Sequence, residues 1–394
     1  MNPRNILFAL SFAGFIVIAD NWVVSPILPA IAQDMGVSIA GTSLLIAAYM
    51  IPFGLFQLVF GYLSDRFGKR QVMSLAMVFF TIGTALCSMA AGLTDLAIYR
   101  FLTGVFAGSV MPISMALIGD VFPLEHRQSA IGTFLGITNM GQGLSLIIGG
   151  SIAYFFHWRG VFAIYALFSI VVTVMLLTVG RKIPSVGNPD SKVFSLYRQL
   201  LKNHQSRKIY SLVLLEGLFL VGPFSFMGGY IKAAYDYNNL LIGMVMTAYA
   251  IAAMITGRFS GKIAAKTGKK NTIILGLSCG LAADFLFILF GNKLIALIIG
   301  IALLGSAFTL AHSTFLTLIS EFAAKSRGVA MSLAAFCFMG GGGLGILMGS
   351  NILRVSDFLT MFTVYGFGVL ALIITVKFVK KVPFSSRKTL NTRH

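Results

Sequence analysis

The chain has 394 residues, 57% of them hydrophobic and only 11% charged. Soluble domains carry about 25% charged residues, so a water-covered globular surface is excluded. A formal net charge of +18 raises the question of nucleic acid, which the distribution of the basic residues answers below.

Residues 6–19 and 161–179 contain no charge, and similar runs recur along the chain. About 20 apolar residues rising 1.5 Å each cross a hydrocarbon core of ~30 Å. Twelve helical spans are predicted, at 5–28, 40–61, 72–92, 95–119, 129–153, 158–180, 208–232, 239–263, 271–291, 294–320, 328–350 and 357–379. The two-residue alternation of a membrane barrel is absent. Ala30-Ile31-Ala32 imitates a leader cleavage site, but Asp20, Asn21 and Pro26 interrupt the run before it, so an uncleaved first span is expected. Cys87, Cys279 and Cys337 lie in apolar segments and suit neither disulfides nor a metal cluster.

The longest polar stretch, residues 181–207, holds Arg181, Lys182, Lys192, Arg198, Lys202 and Arg207. It divides an N-terminal bundle, 1–180, from a C-terminal bundle with a short tail, 208–394. Of the 30 Lys and Arg, 24 lie at the termini and in loops after even-numbered spans. Loops after odd-numbered spans hold four: Arg159, Lys232, Lys293 and Arg354. This asymmetry predicts both termini in the cytoplasm. The basic charge is therefore a topology signal and an attraction to anionic lipid, not a nucleic-acid groove.

A shift of 200 residues superposes the halves. Tyr49 meets Tyr249, Gly61 meets Gly261, Gly68 meets Gly268, and Lys69 meets Lys269. Further on, Gly141, Gly143 and Gly149 meet Gly341, Gly343 and Gly349, and Tyr165 meets Tyr365. Such parallel repeats predict an all-α membrane protein of two pseudo-symmetric six-helix bundles with a site in the cleft between them. Gly340-Gly341-Gly342-Gly343 lacks the strand before it and the Lys-Ser/Thr after it that a phosphate loop requires. Helix packing and gating are expected at Gly141, Gly149, Gly150, Gly341 and Gly343.

The run Gly61-Tyr62-Leu63-Ser64-Asp65-Arg66-Phe67-Gly68-Lys69-Arg70 resembles the loop 2–3 signature of the major facilitator superfamily. The resemblance implies a conformational latch at Gly61, Asp65, Arg66, Gly68, Lys69 and Arg70. Its repeat mate has Ala265 where Asp65 stands, so the latch is expected in the first half alone. Asp20 with Pro26–Ala32, Tyr49 with Gln57, Arg100 with Gly104 and Gly108, and Trp158-Arg159 are similar to motifs of the drug:proton antiporter branch. That branch's fifth-helix motif ends Gly-Pro-x-x-Gly-Gly. Here the chain reads Ser145-Leu146-Ile147-Ile148-Gly149-Gly150, without the Gly-Pro pair.

Charges inside a span cost at least a few kcal/mol and mark functional candidates. Asp20, Arg100, Glu216 and His312 fall one each on spans 1, 4, 7 and 10, which line the central cavity in the superfamily. Asp20 lies 14 residues past Ile6, or ~21 Å deep, and Arg100 descends from the other side to a similar level. Two facing pairs are expected, Asp20 with Arg100 and Glu216 with His312. For Asp20, desolvation favours the neutral acid and the guanidinium favours the carboxylate, a balance that a cationic substrate would disturb. Proton coupling is assigned to these four residues. Substrate contacts are expected at Tyr49, Gln57, Phe224, Phe226, Met227 and Tyr230.

The expected protein is thus a secondary transporter, not an enzyme: a proton-coupled antiporter exporting small amphipathic or cationic compounds. The alternatives are a symporter or facilitator importing a polar nutrient, and a non-coupled lipid translocator or sensor. Protons, membrane lipid and a small-molecule substrate are the expected partners of a monomer in a bacterial-type inner membrane. No cofactor, metal or nucleic acid is expected.

Overall fold

The structure, a computed structural model, describes residues 3–178, 185, 193–323 and 327–378. Twelve helices are long and apolar enough to cross a membrane. They are α1 (Pro3–Trp22), α2 (Ile39–Phe67), α3 (Lys69–Ser88), α4 (Leu93–Val121), α5 (Ala130–Phe155) and α6 (Trp158–Thr178), then α7 (His204–Tyr235), α8 (Asn239–Thr267), α9 (Lys269–Phe290), α10 (Leu294–Phe322), α11 (Gly328–Val355) and α12 (Phe358–Phe378). The face carrying the α2–α3 and α8–α9 turns is rich in Lys and Arg. It is called the basic face below, and the opposite one the sparse face.

Helix ends follow local chemistry that periodicity misses. A single residue, Gly68, separates α2 from α3, and Gly268 separates α8 from α9. Their φ values of 100° and 83° lie where a Cβ is strained. The first span does not stop near residue 28. It breaks at Val23 and resumes as a helix over Val24–Met35, with Pro29 inside. Asn203 caps α7 by accepting from the backbone N–H of Gln205 and Ser206, so α7 begins four residues before the predicted 208. Part of the predicted polar segment is helical, over Val193–Lys202. Arg181, Lys182, Lys192 and the tail beyond residue 378 lie outside the described residues.

Pseudo-symmetry is carried by backbone contacts at small residues. A methyl at Gly104 would sit 2.9 Å from the Tyr49 Cα, and one at Gly305 would sit 3.1 Å from the Tyr249 Cα. The register there is 201 residues, one more than in α2, α3 and α5. Gly141 faces the Phe15 carbonyl as Gly341 faces that of Leu214. Without a hydrophobic driving force between helices in lipid, such close packing holds the bundle together.

The bundles meet along α2 with α11 and along α5 with α8. A methyl at Gly243 would lie 2.6 Å from the Leu146 carbonyl oxygen, and one at Gly150 would lie 3.1 Å from the Gly243 Cα. Gly143 abuts Ala250 and Gly343 abuts Ile51. Toward the basic face the close fit ends: Gly132 and Gly136 of α5 and Gly261 of α8 have open space where a Cβ would sit. Among the glycines singled out in the sequence, Gly141 and Gly149, the latter against Val23, make close contacts within the N-terminal bundle, Gly341 within the C-terminal bundle, and Gly150 and Gly343 between the bundles.

A valine at Gly243 therefore has to push α8 away from α5 near the sparse face. With Cys87, Cys279 and Cys337 replaced by Ala and Ser25→Cys as reporter, Gly243→Val should raise maleimide labelling of the buried cysteine several-fold. Equal labelling of parent and variant would mean that this contact does not hold the face shut.

Candidate functional site

Asp20 lies one turn before the break in α1, and Arg100 near the start of α4. Arg100 Nη1 stands 2.6 Å from Asp20 Oδ2, with both side chains 0% exposed. The guanidinium carbon is 4.2 Å from the Tyr49 ring centroid and 5.7 Å from that of Phe162. Tyr49 donates its hydroxyl to the Val17 carbonyl at 2.9 Å, which fixes the ring beneath the arginine. Only glycine at position 104 lets α4 approach the Tyr49 backbone closely enough for this stack. Asp20 Oδ1, Arg100 Nε and Arg100 Nη2 have no hydrogen-bond partner among the described residues. Removing one member of a buried pair typically costs about 3–5 kcal/mol, so the two charges are tied to each other's presence.

The second pair has a different character. His312 Nδ1 is 3.1 Å from Glu216 Oε2; the carboxylate is 0% exposed and the imidazole 14%. Glu216 ends the first α-helical part of α7, and a π-helical turn, Gly217–Val221, follows at once. Such turns widen the helix, often at functional sites. The chain then breaks again at Phe226. Glu216 Oε1 has no partner among the described residues.

Between these pairs runs a line of aromatic rings. Trp22 lies 5.4 Å from Phe224, and Phe224 lies 4.2 Å from Tyr249. Tyr249 lies 6.3 Å from Phe308, which stacks on His312 at 5.1 Å. Phe338 closes the row 4.1 Å from His312. Toward the sparse face the two broken helices dock on one another: Ser25 Oγ donates to the Ser225 carbonyl at 3.0 Å. That carbonyl lies at the break in α7, where freed backbone groups need a partner.

A family model described as Major Facilitator Superfamily matches residues 10–346 and 209–393. The chain belongs to this superfamily. YceJ of Bacillus subtilis (strain 168), an MFS-type transporter, is 28% identical over 67% of this chain and 67% of its own length. The multidrug transporter protein MdtP of the same organism is 27% identical over 87% of this chain and 74% of its own. Among solved structures, a D-xylose-proton symporter superposes with a TM-score of 0.74 at 18% identity, over 98% of this chain and 100% of that one. The protein is a multi-pass membrane transporter of this superfamily and not an enzyme.

Several of the superfamily-derived expectations move in the structure. Tyr49 is fully buried beneath Arg100 and supports the ion pair. Gln57 is buried where α2 crosses Gly108 of α4. Of the α7 aromatics, Phe224 alone lies in the row between the bundles. Phe226 packs on Gly349 within the C-terminal bundle, and Met227 is fully buried. Tyr230 points toward α12, 5.4 Å from Phe358 and 5.2 Å from Phe362, because the break at Phe226 redirects the last turns of α7. The row was missed because Trp22, Tyr249, Phe308 and Phe338 stand on four helices with no shared motif. Tyr249 was visible only as the repeat mate of Tyr49.

At the latch, Lys69 and not Asp65 makes the ion pair, 2.6 Å from Asp120 on α4. The expectation that the first half alone would be tied is corrected: Lys269 pairs with Glu321 of α10. Ala265 in place of Asp65 is no obstacle, since the tie runs through the lysine. Arg66 donates to the Tyr62 hydroxyl at 2.8 Å. Arg70 donates its backbone N–H to Ser185 Oγ at 3.1 Å, so a residue between the bundles closes on the α2–α3 turn. Asp284 packs beside Gly366 of α12, away from the cleft.

On the sparse face Asp34 gathers the start of α6. Arg159 Nη1 reaches it at 2.6 Å and Trp158 Nε1 at 3.0 Å, while Arg159 also donates to the Ala90 carbonyl. The hydrogen bonds from Arg159 and Trp158 hold the Asp34 carboxyl below its ordinary range. A lowered native value adds stability that is fully present above the unfolded value of about 3.9 and fades as pH falls through the native one. The Tm gap between the wild type and Asp34→Asn in detergent should be present at about pH 5 and close as the pH falls below about 4. A gap that persists in acid would show that the charge contributes nothing.

Proposed function

We propose that this chain is a proton-coupled antiporter that exports small amphipathic or cationic compounds by alternating access. The observation that carries this reading is the Asp20–Arg100 pair, sealed from water in the N-terminal bundle beside a broken helix. An intramembrane carboxylate with one cationic partner can exchange that partner for a proton. When Asp20 takes a proton, the guanidinium remains over the Tyr49 and Phe162 rings, whose quadrupoles tolerate a cation. Proton and substrate then favour different arrangements of the same bundle, and antiport is their thermodynamic linkage.

The excess of Lys and Arg on the basic face supports a cytoplasmic location for it and for both termini, in an inner or plasma membrane. On that reading the present state is closed toward the outside by the contact of Gly150 with Gly243 and by the Ser25–Ser225 hydrogen bond. The α2–α3 turn with Gly61, Asp65, Arg66, Gly68, Lys69 and Arg70 acts as a latch between states through the Lys69–Asp120 tie. The multidrug name borne by MdtP supports efflux.

The test is transport by proteoliposomes under an imposed pH gradient, with a fluorescent lipophilic cation as cargo. The wild type should move it uphill, and Asp20→Asn should abolish uphill movement. Downhill flux alone, or a variant equal to the wild type, would refute antiport through Asp20.

A further inference from the structure

A third buried acid has no part in the chemistry above. Asp284 of α9 is 1% exposed, and neither of its oxygens has a hydrogen-bond partner among the described residues. Asp20 has Arg100 and Glu216 has His312. A carboxylate left wholly unanswered in an apolar interior is costly.

The groups packed around it carry no charge. From α12, a methyl at Gly366 would stand 3.5 Å from the Asp284 Cβ and 3.9 Å from its Oδ2. Tyr365, the titratable neighbour on that helix, spends its hydroxyl on the Gly345 carbonyl at 2.7 Å. From α7, Leu220 reaches Gly280, one turn before Asp284. Glu216, one turn before Leu220, is turned to His312. α10 brings Gly300 and Ala307 to this side of α9. Lys269 and Lys270 lie at the far, basic-face end of α9.

The internal repeat shows what this acid lacks. Asp284 is the mate of Thr84, which is itself buried with no partner for its hydroxyl among the described residues. Leu220 is the mate of Asp20, and Ile301 stands where Arg100 would fall. The C-terminal bundle therefore keeps an acid one turn from the place of the ion pair, without the cation.

Toward the sparse face lies a cavity of about 250 Å³ between α7, α9 and α12, at the α9–α10 turn. Tyr230, Asn292 and Leu359 line it together with Phe287 and Phe362. These last two rings are 5.0 Å apart. Asp284 comes three residues before Phe287, and Gly366 four after Phe362, so the acid and its neighbour stand one turn beneath that ring pair. Rings this close bar an organic ligand. A proton carried by water is small enough to pass.

From this arrangement we infer that Asp284 is a second proton site, filled from the sparse face through this cavity. Its proton does for the C-terminal bundle what Arg100 does for the N-terminal one: it answers the acid and lets α9 and α12 close over it. It is not the proton exchanged at Asp20, and the site does not depend on the antiport reading.

The experiment is infrared difference spectroscopy on purified protein in detergent, wild type minus Asp284→Asn. At neutral pH the difference should contain the C=O band of a protonated carboxyl, and this band should shift as the protein exchanges into D2O. With Cys87, Cys279 and Cys337 replaced by Ala, a bulky maleimide on Leu359→Cys at the cavity should slow that exchange several-fold. The same label on Lys266→Cys, at the basic face, should leave the rate unchanged. Phe362→Ala should speed exchange by removing half of the ring pair. Asp284→Asn should melt no lower than the wild type, because an amide matches the neutral acid in shape and charge. Should it fail to fold, Asp284→Glu should keep a protonated-carboxyl band and move its frequency.

The inference is overturned by a difference spectrum with no such band, by a band that Asp284→Glu leaves unmoved, or by exchange that ignores the label at Leu359→Cys. Loss of proton-driven transport with the band and its exchange intact would sink the coupling at Asp20 and leave this site standing.

Discussion

A charge pair closed off from water inside a membrane protein cannot be an isolated contact. The Asp20–Arg100 pair needs α1 and α4 at one height, Tyr49 beneath the guanidinium, and Phe162 behind it. It also needs Gly104, because any side chain there would drive α2 from α4 and take Tyr49 with it. The break in α1 at Val23 follows within one turn. The N-terminal bundle is therefore built around a single electrostatic commitment, and its glycines and aromatics are the terms on which that pair can exist in an apolar medium.

The C-terminal bundle repeats the architecture without repeating the chemistry. Gly305 meets the Tyr249 backbone as Gly104 meets that of Tyr49, but Ile301 stands where Arg100 would fall. Without an arginine to support, Tyr249 turns its ring to Phe224 and its hydroxyl to Gln142, whose Nε2 is 3.3 Å away. The second acid moves to α7 and finds a histidine. Repetition has conserved the helix crossings, which are backbone contacts at glycine, and released the side chains for two different tasks. The discontinuities in α1 and α7, joined through Ser25 and Ser225, bring the broken backbone of both bundles to one point of contact.

Much of this was legible in the sequence because lipid imposes simple rules. Apolar runs of the right length announced all twelve spans, and the constant offset announced two bundles. Placing one charge on each of four spans was enough to anticipate the facing of Asp20 with Arg100 and of Glu216 with His312. Contacts that depend on a break were not legible. Tyr230 was assigned to the cleft by its place on α7, and the interruption at Phe226 carries it to α12. Asp65 drew attention through its motif, whereas the ion pair belongs to Lys69 and an acid 51 residues away. The aromatic row needs five helices to be assembled before it exists.

The central claim is that one carboxylate trades its arginine for a proton as cargo comes and goes. Its most direct test is a proton count on purified protein in weakly buffered detergent, with an indicator dye, as a lipophilic cation is added. The account predicts that the wild type releases protons on binding and that Asp20→Asn binds with no release. Equal release by the two proteins, or none from the wild type, would contradict it.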